Sequence, residues 1–211
     1  MLIMPHKPMR LNTIISVCCL KDIETWGITS EFIGRNIAAS QYKVIVPDHE
    51  IADFVKISPP QFEVIGESQY TNQFRNQLLN LLPESKKDQF GWYLQQFIKL
   101  LAIADNNPTD TILIWDADTA PIASLDFIDP DGKLLYYKSD EHHQPYFDTI
   151  QKLLNLDKRV NFSFIAQCFV IKTAWIQELF LEIETKHKMP WLDALLSHID
   201  FNEANGFSEY E

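Results

Sequence analysis

Short apolar runs alternate, in the first third of the chain, with stretches in which apolar residues recur at helical spacing. The runs over 13–20, 43–48 and 62–65 are rich in β-branched and other apolar side chains, which predicts three strands. The stretch after the first run predicts a helix over about 22–39, and a shorter helix is predicted over 50–57. Alternation of strand and helix favours an α/β fold on a parallel, doubly wound sheet.

Two helices are predicted in the middle of the chain. One covers about 70–82 and ends at Pro83, and the other begins at a sequence resembling a capping box, Ser85-Lys86-Lys87-Asp88, and continues to about 105. On the second helix an apolar stripe opposes an arc of other side chains, which is either a solvent face or the wall of a cleft. The stripe is Phe90, Leu94, Phe97 and Leu101, and the arc is Trp92, Gln95, Gln96 and Lys99.

A fourth strand is predicted over 111–115, where four consecutive large apolar residues indicate burial on both faces of a sheet. Asp116 and Asp118 follow directly. In an extended segment their side chains would point the same way and Ala117 the other. Such a pair suits Mg²⁺ or Mn²⁺, which can hold nucleotide phosphates at the same time. Asp also forms turns with its own backbone, so Asp-x-Asp alone has low specificity.

The second half of the chain continues the alternation. Strands are predicted over 122–128 and 133–137, on either side of the turn Asp129-Pro130-Asp131-Gly132. A helix over 145–156, a strand over 162–171, a helix over about 173–188 and a short helix from Pro190 follow. No repeat, low-complexity tract or linker interrupts the chain, so one domain is predicted.

The residue composition and net charge of the chain argue against some classes of function. The 211 residues are 46% hydrophobic and 22% charged, which is typical of one globular domain, and the net charge of -11 argues against binding to nucleic acid or to an anionic membrane. The three cysteines lack zinc-site spacing and are expected to be reduced. Residues 1–11 lack the apolar core of a signal peptide and no stretch approaches about 18 apolar residues, so a cytoplasmic protein without a transmembrane segment is expected.

Two common phosphate-binding motifs are missing from the sequence. No Gly-x-Gly-x-x-Gly follows the first strand and no P-loop occurs, and the chain has six glycines. If phosphate is bound, a metal ion and side chains must do most of the binding.

Several segments together resemble a known class of enzyme. They are the helix sequence Gly-Trp-Tyr-x-Gln-Gln-x-x-Lys at 91–99, the strand ending in Trp-Asp-Ala-Asp-Thr at 115–119, and Phe-Ser-Glu-Tyr-Glu at 207–211. In this order the chain resembles the GT-A class of nucleotide-sugar glycosyltransferases, in particular a poorly characterised bacterial family of glycosyltransferase-like proteins. The resemblance implies a single GT-A-like, Rossmann-like domain over 1–211, with a mixed, mostly parallel sheet flanked by helices. It further implies a nucleotide-binding half at about 12–120 and an acceptor half at about 121–211.

The resemblance also implies roles for individual residues. The donor is a nucleotide-diphosphate sugar and the acceptor a carbohydrate or other hydroxyl compound, such as a surface polysaccharide. Mn²⁺ or Mg²⁺ would be held by Asp118, with Asp116 reaching the ribose or a metal-bound water. The remaining candidates are His198, with His142 and His143 as alternatives, for the metal; Lys99, Gln95 and Gln96 for the donor; and Glu209, Asp193 and Asp140 for the base that deprotonates the acceptor if the reaction inverts.

Two other interpretations stay open. The segment leading to Asp116 also resembles the first motif of haloacid-dehalogenase phosphatases, in which the first Asp is the nucleophile and the second the acid/base, again with Mg²⁺. Against it, Ala120 stands at the Thr/Val position, the motif lies late in the chain, and no Asp-Asp or Gly-Asp-x-x-x-Asp follows. The other interpretation is a non-catalytic α/β domain that binds a nucleotide or a protein partner.

Overall fold

The computed structural model describes residues 10–211 and divides them into two compact units. Unit 1 contains the described residues up to Gly66, Asp110–Tyr137 and Gln167–Ile171. Unit 2 contains Glu67–Thr109, Lys138–Ala166 and Lys172–Glu211. Residues 1–9, which make up most of the stretch for which the sequence predicts no signal peptide, lie outside the described residues. Within the described part of the chain, no helix combines the length and hydrophobicity needed to span a bilayer.

Unit 1 is built on a five-stranded sheet in the order β3-β2-β1-β4-β5. The strands are β1 (Leu11–Val17), β2 (Ala39–Val46), β3 (Phe62–Gly66), β4 (Thr111–Trp115) and β5 (Cys168–Lys172). β1 pairs in parallel with both β2 and β4, and β2 pairs in parallel with β3. The N–H of Asp116 donates to the carbonyl of Gln167 at 3.0 Å, so β5 begins beside the end of β4 and runs against it. The predicted α/β fold with a mixed, mostly parallel sheet is confirmed.

Helices α1 (Ile23–Asn36) and α2 (Ile51–Ile57) supply the apolar side chains that cover this sheet. Trp26 and Phe54 are fully buried in the same core as the β1 and β2 side chains. The Trp26 ring meets Phe62 of β3 edge-on at 5.1 Å. Helix α1 ends at Asn36, before the predicted end at 39, because Ala39 already pairs with Leu11 as the first residue of β2.

Unit 2 is helical. Its helices are α3 (Ser68–Thr71), α4 (Arg75–Leu81), α5 (Phe90–Ala104), α6 (Gln144–Leu154), α7 (Thr173–His187) and α8 (Trp191–His198). α5 is the most buried of these helices, and the Phe97 ring contacts Phe74 at 5.3 Å and Phe207 at 5.9 Å. Gln96 and Lys99 are each only 4% exposed. The solvent-face interpretation is therefore wrong for Gln96 and Lys99, because the C-terminal segment packs against them, whereas Trp92 and Gln95 are partly exposed.

Several predicted element boundaries are wrong. The helix expected over 70–82 is two helices, α3 and α4, separated near Phe74, whose φ of -133° is not helical. The capping box does not form: Glu84–Gln89 is a 3₁₀ helix, and Gln89, the residue that caps α5, makes no side-chain capping bond. Propensity at a helix start is a weak preference that tertiary packing overrides.

The strands predicted over 122–128 and 133–137 are reduced, in the described structure, to one bridge between Ile128 and Leu134. The turn between them is confirmed. Asp129 Oδ1 accepts the N–H groups of Asp131 and Lys133 at 2.9 and 2.8 Å, and Gly132 has a φ of 87°, which favours glycine. The strand predicted from 162 begins at Cys168 instead. Upstream of it, Ser163 pairs with Ser139.

Candidate active site

The acidic pair of unit 1 lies in a turn directly after β4. The N–H of Thr119 donates to the carbonyl of Asp116 at 3.2 Å, and Trp115 Nε1 donates to the carbonyl of Thr119 at 2.7 Å. The chain therefore stops being extended at Asp116, and the expectation that alternation aligns the two carboxylates is wrong. Asp116 is partly exposed and Asp118 is exposed.

Buried hydroxyl groups fix the backbone of this turn. Ser16 of β1 donates to the carbonyl of Trp115 at 2.8 Å, and Thr29 of α1 donates to the carbonyl of Ala117 at 2.6 Å. Both hydroxyl-bearing residues are at most 2% exposed. A buried carbonyl without such a donor costs free energy, so these bonds favour one backbone path for the acidic turn.

The turn lies at the topological switch point of the sheet. β1 lies between β2 and β4. The strand order therefore proceeds to one side of β1 for β2 and β3, and to its other side for β4 and β5. In open α/β sheets, ligands bind outside the carboxyl ends of the strands at such a point. The side chains available there come from the segment after β1, Cys18 to Asp22, and from Asp116 and Asp118 after β4.

Glu50, which is not among the residues that the sequence predicts for the site, fixes the segment that follows β1. It is 8% exposed, and its Oε2 accepts the N–H of Leu20 at 2.7 Å. The sequence contains one indication of this role, which is that an acidic residue follows soon after β2. Parallel strands have their carboxyl ends at the same edge of a sheet, so this residue lies near the end of β1. Because a buried carboxylate holds the β1 loop, this edge of the sheet has a defined shape.

The residues present fit a hard divalent ion held in part by its substrate. Among the described residues, no group of three or more His, Cys, Asp and Glu side chains is arranged to hold a metal. Mg²⁺ is commonly held by one or two carboxylates together with substrate phosphates, and Asp116 and Asp118 would supply the carboxylates for such an arrangement. His198 is in unit 2, where its Nδ1 lies 2.7 Å from the carbonyl of Ala194 and its ring 4.5 Å from that of His187.

Two thiols near the switch point are kept neutral. Burial raises the pKa of Cys168 to about 12, and the negative charge of Asp116 adds to the shift. Burial also raises the pKa of Cys18 to about 12. Both act as small apolar side chains in the core of unit 1, as the sequence predicts.

Unit 2 brings three of the predicted residues together. Lys99 Nζ lies 2.6 Å from Glu209 Oε1, and the two side chains are 5% and 1% exposed. Lys99 Nζ also lies 4.7 Å from the centre of the Tyr210 ring. The N–H of Glu209 donates to Gln96 Oε1 at 3.5 Å. The long helix and the C-terminal motif, two separate signals in the sequence, are therefore in direct contact.

The contact follows one face of α5. Tyr93, Gln96 and Lys99 are three residues apart, so their side chains lie along one side of the helix. The Tyr93 hydroxyl accepts the N–H of Gly206 at 2.7 Å, and burial raises the pKa of this tyrosine. The segment from Gly206 to Tyr210 is irregular and buried, so these side chains satisfy backbone groups that have no helix or sheet partner.

The other predicted residues do not join this cluster. Asp193 is exposed on α8 and accepts a hydrogen bond from Gln77 at 3.2 Å. Gln95 is partly exposed on α5, and Asp140 is exposed in a loop. His143 Nε2 lies 2.7 Å from the carbonyl of Ala204.

Comparison with known proteins gives a family. The model of a family of unknown function, DUF6492, matches residues 30–211. The chain belongs to this family. The galactosyltransferase LgtC in complex with donor and acceptor sugar analogues is a solved structure similar to it, with a TM-score of 0.47, 12% identity, and 87% of this chain and 70% of that chain covered.

A second similar structure is 4-diphosphocytidyl-2C-methyl-D-erythritol synthase, with a TM-score of 0.37, 14% identity, and 90% of this chain and 85% of that chain covered. No curated protein matches the chain.

The second glutamate of the C-terminal motif, Glu211, contacts a buried serine in unit 2. Its Oε1 accepts a hydrogen bond at 2.5 Å from Ser163, whose side chain is fully buried. Burial raises the pKa of Tyr146 to about 12, and negative charges including those of Glu141, Glu209 and Glu211 add to the shift. The C-terminal motif contains both Glu209 and Glu211, and only structure distinguishes their surroundings.

Proposed function

We propose that the protein is a metal-dependent glycosyltransferase that moves a sugar from a nucleotide-diphosphate sugar to a hydroxyl acceptor. The observation that carries the proposal is the Asp116–Asp118 turn at the switch point of a mostly parallel sheet. A carboxylate pair at that position suits a divalent cation that also binds phosphate. Because the protein's net charge is -11, an anionic donor would be repelled unless a cation lies between the donor and the carboxylates.

In this proposal Asp118 is the main ligand of Mn²⁺ or Mg²⁺, and Asp116 binds the ribose or a metal-bound water. An ion held by these residues would supply positive charge that stabilises the negative charge on the departing nucleotide. Thr29, Ser16 and Glu50 hold the backbone on which these groups depend. The roles of Lys99, Gln95 and Gln96 toward the donor, of Glu209 and Asp193 as base, and of His198 at the metal stay predictions.

The first test is the thermal midpoint of the protein with UDP, GDP, CMP or dTDP, each with and without Mn²⁺. A ligand at about a hundred times its dissociation constant adds roughly 2.7 kcal/mol, or on the order of 5 to 10 °C for a domain of this size. We expect a shift that needs both Mn²⁺ and one class of nucleotide. No shift with any pair would contradict the proposal and favour the phosphatase or partner-binding interpretation.

Substitution then locates the site. Asp118→Asn should abolish the Mn²⁺-dependent shift, because an amide lacks the charge that a hard cation requires. Asp131→Asn is the matched control. The Asp131 side chain is 79% exposed, and among the ion pairs of the described residues it takes part in one, with Lys133 at 3.8 Å. Nucleotide binding that Asp118→Asn leaves unchanged would contradict the assignment.

A further inference from the structure

We propose that His187 and His198 form a binding site for a divalent transition metal ion of the group Ni²⁺, Cu²⁺ and Zn²⁺. Both residues belong to unit 2. The ion is distinct from the Mn²⁺ or Mg²⁺ of the proposed glycosyl transfer, and the site does not depend on that reaction. It gives His198 a partner ligand within its own unit, instead of the role at the acidic turn that the sequence predicts.

The two imidazole rings are in contact at the ends of two helices. His187 is the last residue of α7 and His198 the last residue of α8, and their ring centres are 4.5 Å apart. Bonds from imidazole nitrogen to zinc are about 2.0 to 2.1 Å, so two nitrogens on one ion are at most about 4.2 Å apart. Rings with this spacing allow that separation. Both residues are partly exposed, so an ion in solution can reach them.

The hydrogen bonds of the two rings show which nitrogen of each can bind a metal. His187 Nε2 lies 2.7 Å from the carbonyl oxygen of Leu153, and His198 Nδ1 lies 2.7 Å from that of Ala194. A carbonyl oxygen only accepts hydrogen bonds, so each of these nitrogens carries a hydrogen. In the neutral ring the lone pair is then on the other nitrogen, which is Nδ1 of His187 and Nε2 of His198.

Both lone-pair nitrogens are available to a metal. Neither has a hydrogen-bond or ion-pair partner among the described residues. Histidines that bind a metal almost always donate their second ring N–H to a backbone carbonyl, a carboxylate or water, because this bond fixes the ring and makes the binding nitrogen more basic. His187 and His198 both have this arrangement, with backbone carbonyls as the acceptors.

The carboxyl ends of three helices meet at the pair. His187 and His198 end α7 and α8, and Leu153, whose carbonyl holds the His187 ring, is in the last turn of α6. The last carbonyl groups of a helix carry a partial negative charge that favours a cation. Lys186 and Lys188 flank His187 in the sequence, but both are exposed, so solvent and salt screen their charges. The local electrostatics therefore favour a cation, independently of the ring geometry.

The donor set indicates the kind of ion. Among the described residues, no third His, Cys, Asp or Glu side chain is placed to join the pair, so water would complete the coordination. Imidazole suits Cu²⁺, Ni²⁺ and Zn²⁺, whereas Mg²⁺ and Mn²⁺ prefer oxygen ligands. An ion held by both rings would connect the end of α7 to the end of α8 and stabilise unit 2.

The test is a calorimetric titration of the protein with NiCl₂, without a histidine tag, because a tag would bind the same ion. We expect one Ni²⁺ per chain. His187→Gln and His198→Gln should each weaken binding by at least about tenfold, which is the loss that even a change beside a metal ligand produces. Glutamine keeps an N–H for the carbonyl but lacks the imidazole nitrogen. The matched control is His49→Gln in unit 1, whose side chain is 83% exposed and which should bind as the wild type does.

Two measurements on the wild type do not depend on how well the variants fold. Its thermal midpoint without nucleotide should rise with Ni²⁺ and not with Mg²⁺. The electron paramagnetic resonance spectrum with one molar equivalent of Cu²⁺ should show splitting from two nitrogen ligands. In each histidine variant that is folded by circular dichroism, the splitting should come from one nitrogen.

Three results would overturn the inference. They are a wild type that binds none of Ni²⁺, Cu²⁺ and Zn²⁺, a Cu²⁺ spectrum without two nitrogen ligands, and either histidine variant binding Ni²⁺ within about twofold of the wild type. Asp118→Asn should bind Ni²⁺ as the wild type does, and a loss there with binding retained in both histidine variants would assign the ion to the acidic turn instead. The proposed glycosyl transfer has its own test with Mn²⁺ and nucleotide, so the two fail separately.

Discussion

Lys99 Nζ lies 2.6 Å from Glu209 Oε1, and both side chains are buried to at least 95%. The pair joins the middle of α5 to an irregular segment that precedes the last residue of the chain. Removing two charges from water is costly, and close approach with further hydrogen bonds is needed to offset that cost. Gln96 and Tyr210 supply polar and ring contacts around the pair.

Lys99→Met should destabilise unit 2 strongly. Removing one partner of a buried pair leaves an uncompensated charge, which costs about 3 kcal/mol or more. Urea unfolding followed by circular dichroism measures the loss. Lys186→Met, at an exposed lysine in the last turn of α7, is the control and should change the free energy of unfolding by less than about 0.5 kcal/mol.

The double variant Lys99→Met/Glu209→Gln separates charge from shape. With both charges removed, the free energy of unfolding should recover by at least about 1 kcal/mol relative to Lys99→Met alone, because no buried charge is left unpaired. Equal losses that simply add in the double variant would show that the two residues do not act as a pair.

Thr29→Val should weaken the acidic turn. Valine keeps the shape of Thr29 but cannot donate to the carbonyl of Ala117, which then loses a bond of 2.6 Å. We expect a loss of about 1 to 2 kcal/mol in the free energy of unfolding and a weaker Mn²⁺-dependent nucleotide shift. Thr29→Ser keeps the hydroxyl and should retain most of both. Wild-type behaviour of Thr29→Val in both assays would contradict the role given to this bond.

Two glycine substitutions should change the stability of the protein in opposite directions. A Cβ on Gly91 would meet nothing within 4 Å, so Gly91→Ala should stabilise α5 by about 0.5 to 1 kcal/mol. A Cβ on Gly206 would lie 2.8 Å from the carbonyl oxygen of Asp200, a backbone atom that cannot rotate away, so Gly206→Ala should destabilise by about 1 to 3 kcal/mol. Thermal unfolding of the two variants side by side tests both predictions.

Thiol reactivity tests the surroundings of the sheet edge. Burial raises the pKa of Cys18 and Cys168 from 9.0 to about 12, so both stay protonated in the folded protein at pH 8. A disulfide reagent should therefore modify Cys19, which is partly exposed, well before the other two, and all three should react in guanidinium. Rapid modification of all three thiols in the folded protein would contradict the conclusion that Cys18 and Cys168 are buried and protonated.

The same thiols predict a dependence of stability on pH. Their pKa is raised in the folded state, so the unfolded state loses these protons first. The contribution of the buried thiols to stability is present below about pH 9 and is lost as the pH rises towards 12. Urea unfolding at pH 8 and pH 10.5 should show lower stability at the higher pH, and a smaller decrease in Cys168→Ala.

The fold class was accessible from sequence because it depends on local periodicity. Apolar β-branched runs mark strands, and helical spacing between them implies crossovers, which in turn imply parallel pairing. The order of the strands, with β1 between β2 and β4, was not predicted and is given by the structure. Boundaries were less accessible, since the end of α1 depends on where Ala39 begins to pair with Leu11.

The acidic turn was found by sequence and given its shape by tertiary structure. The pattern at 111–118 identified Asp116 and Asp118 from residue type alone. Whether the chain stays extended there depends on Ser16, Thr29 and the carbonyl of Gln167, which lie far away in sequence. Bonds between distant segments cannot be read from local preferences.

The sequence by itself determined an α/β protein with an acidic pair after a buried strand, because these features follow from side-chain periodicity and residue type. Only the tertiary structure decided the surroundings of the C-terminal motif. It buried Glu209 against Lys99 and left Glu211 partly exposed, although the two residues are identical in type and close in sequence. The physical reason is that burial and charge pairing depend on which distant segments pack together, and α5 packs against only one of these two carboxylates in the ion pairs described.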